Sequence, residues 1–132
     1  MPAAPGLTVF DRIISDRGSV YAVSGAPVAG RAEIEARLDQ LKSTRRFANA
    51  THNSWAARIG GEGLKADDGE AGAGAIILRM LESERLDDHL VVVTRWYGGK
   101  HLGGDRFRHV ISAVRHYLAH RPKQGGRRPG GT

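Results

Sequence analysis

The chain has 132 residues, of which 40% are hydrophobic and 26% are charged, a size and composition typical of one globular domain. It contains no cysteine, which excludes disulfides, cysteine nucleophiles, cysteine zinc sites and iron–sulfur clusters. No apolar run approaches the roughly 20 residues that span a bilayer, and no signal-peptide core follows Met1, so we expect a cytoplasmic protein.

The positive charge of the chain is concentrated at its C-terminal end. The sequence holds 20 basic and 14 acidic residues, a net charge of +6, and four of the basic residues lie in the acid-free segment 121–132. Because this segment is rich in glycine and proline, we predict a folded domain over residues 1–120 and a flexible basic tail over residues 121–132. Such a tail either attracts RNA non-specifically or is only a solubilising end.

Hydrophobic periodicity predicts elements in the order ββαββαβα. In chain order they are the strands Leu7–Asp16 and Ser19–Val28, the helix Arg31–Phe47, the strands Asn53–Gly60 and Leu64–Ala66, the helix Glu70–Arg85, the strand Leu90–Tyr97 and the helix Asp105–His120. Arg17-Gly18 is a turn signal that makes the first two strands a hairpin. Strands interleaved with helices in this way favour an α/β or α+β sandwich in which the helices lie on the sheet.

Three carboxylates, Asp67, Asp68 and Glu70, stand within four residues at the predicted start of a helix. Their oxygens suit a magnesium ion, acid–base chemistry or the binding of a partner. The alternative is structural, with two aspartates that cap the helix and Glu70 in its first turn, where a carboxylate favours the helix dipole. The sequence leaves both interpretations open.

Arg95 lies on the last predicted strand, where the alternation of side chains places it on the same face as Tyr97. An arginine held beside an aromatic ring suits the recognition of a phosphate or a base. The alternative is an ion pair with Asp67 or Asp68 that ties two segments of the chain together.

A glycine-rich turn, Gly98-Gly99-Lys100-His101-Leu102-Gly103-Gly104, leads into the last predicted helix. Backbone N–H groups at a helix start can bind an anion, and Lys100 and Arg106 would strengthen such a site. The alternative is a turn that needs positive φ angles, with Asp105 as the cap of the helix. The glycine spacing matches neither of the common nucleotide-binding loops.

Two histidine patterns complete the candidate residues. His52 and Asn53 stand just before a predicted strand, where they either hydrogen-bond a ligand or fix a loop. His116 and His120 are one helical turn apart, a spacing compatible with a metal, but the sequence offers no third ligand. We therefore predict no metal and no cofactor.

Several of these motifs together resemble the IMPACT family, also called the YigZ or uncharacterised-protein-family-29 domain. The resemblance is carried by SDR at Ser15–Arg17, ATHN at Ala50–Asn53, DDGE with AGAG at Asp67–Gly74, and VVVTRWYGGKHLGGDRFRH at Val91–His109. It spans roughly Ile14 to Leu118. The chain departs from the family pattern at Lys100 and His101, where members usually have apolar residues.

The resemblance implies an α+β, two-layer sandwich like the second domain of ribosomal protein S5, with a sheet of about four strands and helices on one face. Eukaryotic members carry an additional N-terminal RWD domain and bacterial members a C-terminal ferredoxin-like domain, and 132 residues have room for neither. The RWD-containing part helps to bind the coactivator of the amino-acid-starvation kinase, so the resemblance does not extend that activity to this chain.

From the residues and the resemblance together, we predict a non-enzymatic regulatory protein linked to translation control and the stress response. It would bind a protein of the translation or stress-kinase pathway, or RNA or the ribosome, with no membrane partner and no DNA specificity. The binding residues are expected on the face where the RWYGG and DDGE motifs meet: His52, Asn53, Asp67, Asp68, Glu70, Arg95, Tyr97, Gly98, Gly99, Lys100 and Arg106. The alternative is a small hydrolase or transferase that acts on a phosphorylated or nucleotide substrate through His52, Arg95 and the nearby acids.

Overall fold

Residues 6–122 are the part of the chain that the computed structural model describes, and they form an antiparallel sheet with four helices. The elements in chain order are β1 (Thr8–Asp16), β2 (Ser19–Pro27), α1 (Arg31–Lys42), α2 (Arg45–Ala48), β3 (His52–Ile59), β4 (Glu62–Ala66), α3 (Ala73–Ser83), β5 (His89–Trp96) and α4 (Asp105–His120). The strands lie in the order β1-β2-β5-β3-β4, and each neighbouring pair is antiparallel. The last strand in the sequence is therefore the central strand of the sheet.

The central strand β5 is apolar on both faces because both faces of the sheet are covered. Its backbone pairs with β2 on one side and with β3 on the other. Val91 and Val93 belong to one buried cluster, and Leu90 and Val92, which alternate with them, belong to another. The strand continues from this core to Arg95, so that arginine sits on a backbone that is paired on both sides.

Helices α3 and α4 cover the first face of the sheet. Ile77 and Leu81 from α3 and Val110 and Val114 from α4 are at most 1% exposed, and they pack in one cluster with Val91. Full burial of each such side chain stabilises the fold by about 1.5–3 kcal/mol. This face carries the helices that border the candidate site described below.

Helices α1 and α2 supply buried residues to the opposite face. Ile34 and Leu41 of α1 and Phe47 of α2 lie in a second cluster with Leu90 and Val92. The α+β class is confirmed. One detail differs from the expectation: the apolar stripe of α1 needs a sheet face of its own, so helices lie on both faces. The short β4, which the periodicity predicted, gives the sheet five strands where the resemblance implied about four.

The predicted helix bounds agree with the structure for α4 but not for α1. Helix α4 spans Asp105–His120, as the periodicity indicated. The helix predicted over Arg31–Phe47 is interrupted at Ser43 and Thr44, which separate α1 from α2. The apolar positions with helical spacing, Ile34, Leu38 and Leu41, all lie within α1, so the periodicity supported a helix only as far as that element.

Helix α3 begins at Ala73, three residues later than predicted. The preceding Asp68, Gly69 and Gly72 have φ angles of +50°, +87° and +90°. Because an α-helix needs negative φ, this segment forms a turn instead of a helix. Glu70 therefore lies in that turn and not in the first turn of a helix.

The predicted basic tail, residues 121–132, lies outside the described residues apart from Arg121 and Pro122. Arg121 closes α4, with its backbone N–H donating to the carbonyl oxygen of Tyr117 at 2.8 Å. Within residues 6–122, none of the helices has the length and apolar character needed to cross a bilayer.

Candidate functional site

A cavity of about 530 Å³ opens where the end of β5 meets the glycine turn and the start of α4. Its size lies within the range of pockets that hold small molecules. Five of the predicted binding residues line it: His52, Glu70, Arg95, Tyr97 and Arg106. We call this cavity the site cavity. It brings together an acid, an imidazole, an aromatic ring and two guanidinium groups from separate stretches of the chain.

Glu70 is surrounded by basic side chains of the site cavity. It is 3% exposed, and both of its carboxylate oxygens accept hydrogen bonds from Nη1 of Arg95, at 2.9 and 3.2 Å. Nη1 of Arg106 lies 3.5 Å from Oε2, and Nε2 of His52 lies 4.0 Å from Oε1. These partners offset the free-energy cost of burying the carboxylate charge.

Arg95 is itself 5% exposed and has contacts beyond Glu70. Its Nη2 lies 3.4 Å from the hydroxyl oxygen of Ser19, and its Cζ lies 5.6 Å from the centre of the Tyr97 ring, on the face that the alternation predicted. The Nε atom is buried and has no hydrogen-bond partner among residues 6–122. Tyr97 is 44% exposed, so its ring is open to solvent at the rim.

Asp67 holds the N-terminal end of α3 and does not line the site cavity. Its carboxylate accepts hydrogen bonds from the backbone N–H groups of Gly72 and Gly74, at 3.0 and 2.9 Å. These two hydrogen bonds lower the pKa of the Asp67 carboxyl below its ordinary value. The structural interpretation of the carboxylate cluster thus describes Asp67, although the N-cap position itself is Gly72.

Asp68 and Glu70 are separated by the sharp turn at Gly69, whose φ is +87°. Asp68 accepts a hydrogen bond from a backbone N–H group of β3 at 2.6 Å, whereas Glu70 reaches Arg95. The predicted ion pair of Arg95 with Asp67 or Asp68 is therefore wrong, and its partner is Glu70. The turn at Gly69 decides which of the carboxylates meets the arginine.

His52 and Asn53 are consecutive residues of β3, so their side chains point to opposite faces of the sheet. His52 lines the site cavity, and its Nδ1–H donates to the carbonyl oxygen of Asp68 at 2.9 Å. Asn53 is buried on the other face, where its amide donates to the carbonyl oxygen of Phe47 at 3.2 Å and accepts from the Thr94 hydroxyl at 2.7 Å. Asn53 therefore has structural partners away from the cavity.

The glycine turn borders the site cavity without offering the helix N-terminus to an anion. Gly99 and Gly103 have φ angles of +92° and +57°, as the structural interpretation of the turn requires. The backbone N–H groups of Asp105 and Phe107 already donate to carbonyl oxygens of the turn, at 3.0 and 3.2 Å. Side chains must therefore supply most of the donors for any ligand.

Asp105 does not cap α4, so this part of the structural alternative for the glycine turn is wrong. The N-cap position is Gly104, which makes no side-chain cap hydrogen bond. The Asp105 carboxylate pairs instead with Arg17 at the tip of the β1–β2 hairpin and with Arg108, which lies 3.1 Å away. Asp105 thus links the hairpin to the start of α4, beside the site cavity.

The predicted binding residues outside the site cavity are Asn53, Asp67, Asp68, Gly98, Gly99 and Lys100. Other residues that line it were missed from the sequence, among them Thr51, His101, Leu102 and Phe107. The side chain of Leu102 is 4% exposed and packs in the cluster beneath α3 and α4. A lone apolar residue inside a glycine-rich turn was the sequence signal that could have located this wall of the cavity.

Gly98 leaves no room for a side chain, because the β1–β2 hairpin packs on its backbone. A Cβ atom at Gly98 would lie 2.0 Å from the carbonyl carbon of Gly18. We expect Gly98→Ala to lower the free energy of unfolding by about 1–3 kcal/mol, as overpacking does. Gly104→Ala is the matched control, with a φ of −67° and nothing within 4 Å of the added Cβ, so it should stay within about 1 kcal/mol of the parent. Urea unfolding measures both, and equal losses would contradict this packing.

The metal alternative finds no further support in the described part of the chain. Residues 6–122 contain no group of three or more His, Asp or Glu side chains placed to hold a metal ion. His116 and His120 stack with ring centres 4.2 Å apart, and Nδ1–H of His120 donates to the carbonyl oxygen of His116 at 2.8 Å. This imidazole pair is therefore engaged with its own helix.

The geometry of the site cavity suits anion binding better than acid–base catalysis. Asp67 and Asp68 are engaged with backbone N–H groups, and Glu70 is held by Arg95 through both oxygens. Of the groups invoked for an enzyme, this leaves His52, whose Nδ1–H is engaged with the carbonyl oxygen of Asp68. The enzymatic alternative thus retains fewer groups than the sequence had offered it.

Comparison with known proteins places this geometry in context. A family model described as the Impact N-terminal domain matches residues 17–118. The Protein IMPACT homolog of Caenorhabditis elegans is 36% identical over 115 residues, which cover 81% of this chain and 45% of the relative. Protein IMPACT of Bos taurus is 39% identical over 111 residues, which cover 80% of this chain and 35% of the relative. The chain thus spans less than half the length of these curated relatives.

Solved structures also resemble this chain, among them the following two. A two-domain translational regulator, Yih1, is 36% identical, with a TM-score of 0.56 over 86% of this chain and 46% of that chain. A hypothetical protein is 21% identical, with a TM-score of 0.74 over 86% of this chain and 61% of that chain. The second likeness shows the fold alone.

Proposed function

This chain belongs to the Impact N-terminal domain family, and from that premise we propose that it is a non-enzymatic regulatory protein of translation control. It acts by binding a component of the translation machinery through the site cavity. The likeness to Yih1, a translational regulator, supports the process. Because the chain covers only part of that protein, the activity of the whole regulator is carried over here as a proposal.

The charge of the site cavity is the observation that carries the proposal. Among the described residues that line it, the basic side chains are His52, Arg95, His101 and Arg106, and Glu70 is the acid. An excess of positive charge in a concave site attracts an anionic partner. This composition favours RNA, and a protein of the translation or stress-kinase pathway is the alternative partner that the experiment separates.

Arg106→Gln is expected to reduce the capture of ribosomes from a translating cell extract by about fivefold or more. Arg106 is the guanidinium of the site cavity with solvent-exposed surface, 33% of its side chain, while the Arg95 side chain is 7% exposed and engaged with Glu70. Immobilised protein is incubated with the extract at low and physiological salt. Captured ribosomal RNA and captured proteins are then quantified.

Arg115→Gln is the matched control, since it removes the same charge from an exposed position further along α4. It should retain parental capture. Loss of capture after ribonuclease treatment assigns the partner as RNA, and capture that resists ribonuclease and salt assigns a protein. Equal capture by the two variants, with both folded, would show that the site cavity is not the recognition surface.

A further inference from the structure

We propose that the site cavity binds a single nucleotide that carries a terminal phosphate, with the phosphate at Arg106 and the base against Tyr97. The inference rests on the proposed function, because it names the chemical group that enters the cavity. The same chemistry is offered by a free mononucleotide and by the phosphorylated end of a single-stranded RNA. Purified components distinguish these two sources.

The dimensions of the site cavity suit one nucleotide. Its volume of about 530 Å³ is that of a small-molecule pocket, too small for a groove that follows a duplex. Leu102 and Phe107 add apolar surface to the wall of the cavity, and the charged groups of Arg95 and Arg106 line the same cavity. A splayed terminal nucleotide brings this combination of an apolar ring and a charged group.

The two guanidinium groups of the site cavity differ in how many of their N–H donors are engaged within the protein. This difference identifies Arg106 as the position of the phosphate. Nη1 of Arg95 donates to both carboxylate oxygens of Glu70, and Nη2 of Arg95 lies 3.4 Å from the Ser19 hydroxyl oxygen. Nη1 of Arg106 lies 3.5 Å from Glu70, and its Cζ lies 4.5 Å from the centre of the Phe107 ring. Neither contact uses most of its five N–H donors, which leaves them for a ligand. With Glu70 neutralising Arg95, the charge of Arg106 is the local excess, and a guanidinium matches phosphate oxygens in pairs.

A terminal phosphate fits this excess better than an internal phosphodiester. At pH 7 a phosphate monoester carries a charge of about −1.5 to −2, whereas a diester carries one negative charge. Nε2 of His52 lies 4.0 Å from Oε1 of Glu70, and this imidazole lines the same site cavity. The site cavity is therefore expected to bind a phosphate monoester more tightly than a diester.

The exposed ring of Tyr97 supplies a surface for the base. Tyr97 is 44% exposed, and the His101 ring stands 5.9 Å away at an interplanar angle of 47°. Arg95 lies against the same ring at 5.6 Å, which holds the phenol from the protein side. Stacking on an aromatic ring tolerates any base, so the inference predicts little base preference.

The test measures binding of a fluorescent pentanucleotide with and without a 5′-phosphate to the purified protein by anisotropy. The phosphorylated form is expected to bind about tenfold more tightly.

Arg106→Gln should weaken binding of the phosphorylated form by about tenfold and of the unphosphorylated form by less than about twofold. Tyr97→Ala should weaken both forms by about fivefold or more. Arg108→Gln, an exposed arginine of the same helix, is the control and should change neither form by more than about twofold.

Competition with adenosine monophosphate separates the two sources of the ligand. Competition at the concentration that the oligonucleotide requires assigns a free nucleotide, and a requirement for about tenfold more assigns an RNA end, both within the proposal. Equal affinity for the two oligonucleotides overturns it, as does an equal loss in Arg106→Gln and Arg108→Gln. If the extract experiment still depends on Arg106 in that case, the proposed function stands and only the nucleotide assignment falls.

Discussion

Glu70→Gln is expected to lower the free energy of unfolding by about 3–5 kcal/mol, because it leaves a buried charge without its partner. The amide cannot neutralise Arg95, which is 5% exposed and donates to both oxygens of Glu70. Chemical unfolding at pH 7 measures the change. Glu82→Gln removes an exposed carboxylate from α3 and is the control, with an expected change of less than about 0.5 kcal/mol.

The double variant Glu70→Gln with Arg95→Met separates the lost ion pair from a general disturbance of the turn. Replacing both members of a buried pair is often close to neutral, since no unpaired charge remains. The double variant is therefore expected to recover most of the loss seen in Glu70→Gln alone. Simple addition of the two single losses would show that the pair is not coupled and would reject this explanation.

The different burial of Arg95 and Arg106 allows fold stability and ligand binding to be tested with different variants. Arg106 approaches Glu70 at 3.5 Å and keeps a third of its side chain exposed, so removing its charge does not leave a buried group without a partner. Arg95 is nearly buried and holds Glu70 at 2.9 Å. Variants of Arg106 therefore test function, and variants of Arg95 mainly test the fold.

The strand and helix periods predicted the parts of the site that lie inside regular structure. A period of two put Arg95 and Tyr97 on one face of β5, and the structure places the arginine 5.6 Å from that ring. The same period implies that His52 and Asn53 face opposite ways, so only one of them could line the cavity. Because the predicted strand began at Asn53, the alternation applies to His52 only in the structure, where β3 begins at that residue.

The choice of Glu70 over its neighbours could not be predicted from spacing. It depends on Asp68 and Gly69, whose φ angles of +50° and +87° turn the chain between one carboxylate and the next. A glycine signals that such a turn is allowed, but the direction in which it sends Glu70 depends on the packing of β3 and α3 around it. Asp67 was equally close in sequence and instead holds the backbone of Gly74.

The helices on both faces of the sheet also follow from residues that the sequence displayed. Ile34 and Leu41 form the buried stripe of α1, and β5 offers Leu90 and Val92 on the face opposite to Val91. The apolar run Leu90–Val93 presents side chains on both faces of the central strand, so this strand needs cover on both sides. The expectation of helices on one face came from the resemblance and not from this pattern.

His89 is expected to make the fold sensitive to acid between about pH 6.5 and pH 4. It is 4% exposed at the start of β5, and the hydroxyl oxygen of Tyr117 lies 2.6 Å from its Nε2. Burial lowers the pKa of His89 from 6.5 to about 4, and the positive charge of Arg121 acts in the same direction. Below pH 6.5 His89 therefore becomes protonated in the unfolded chain, whereas in the folded chain it stays neutral down to about pH 4.

This difference gives the sign and the size of the effect. Stability is complete above pH 6.5 and falls with pH, by about 2 kcal/mol at pH 5 and about 3 kcal/mol at pH 4 from this residue. Urea unfolding of the parent and of His89→Gln between pH 7 and pH 4 measures it, and the variant should lose less stability than the parent over that range. His120→Gln, a substitution at an exposed histidine, is the control.

Asp16, whose pKa is lowered to about 2 mainly by its hydrogen bond from Arg17, loses its contribution to stability only below about pH 4. An unchanged pH slope in His89→Gln would therefore place the acid sensitivity elsewhere.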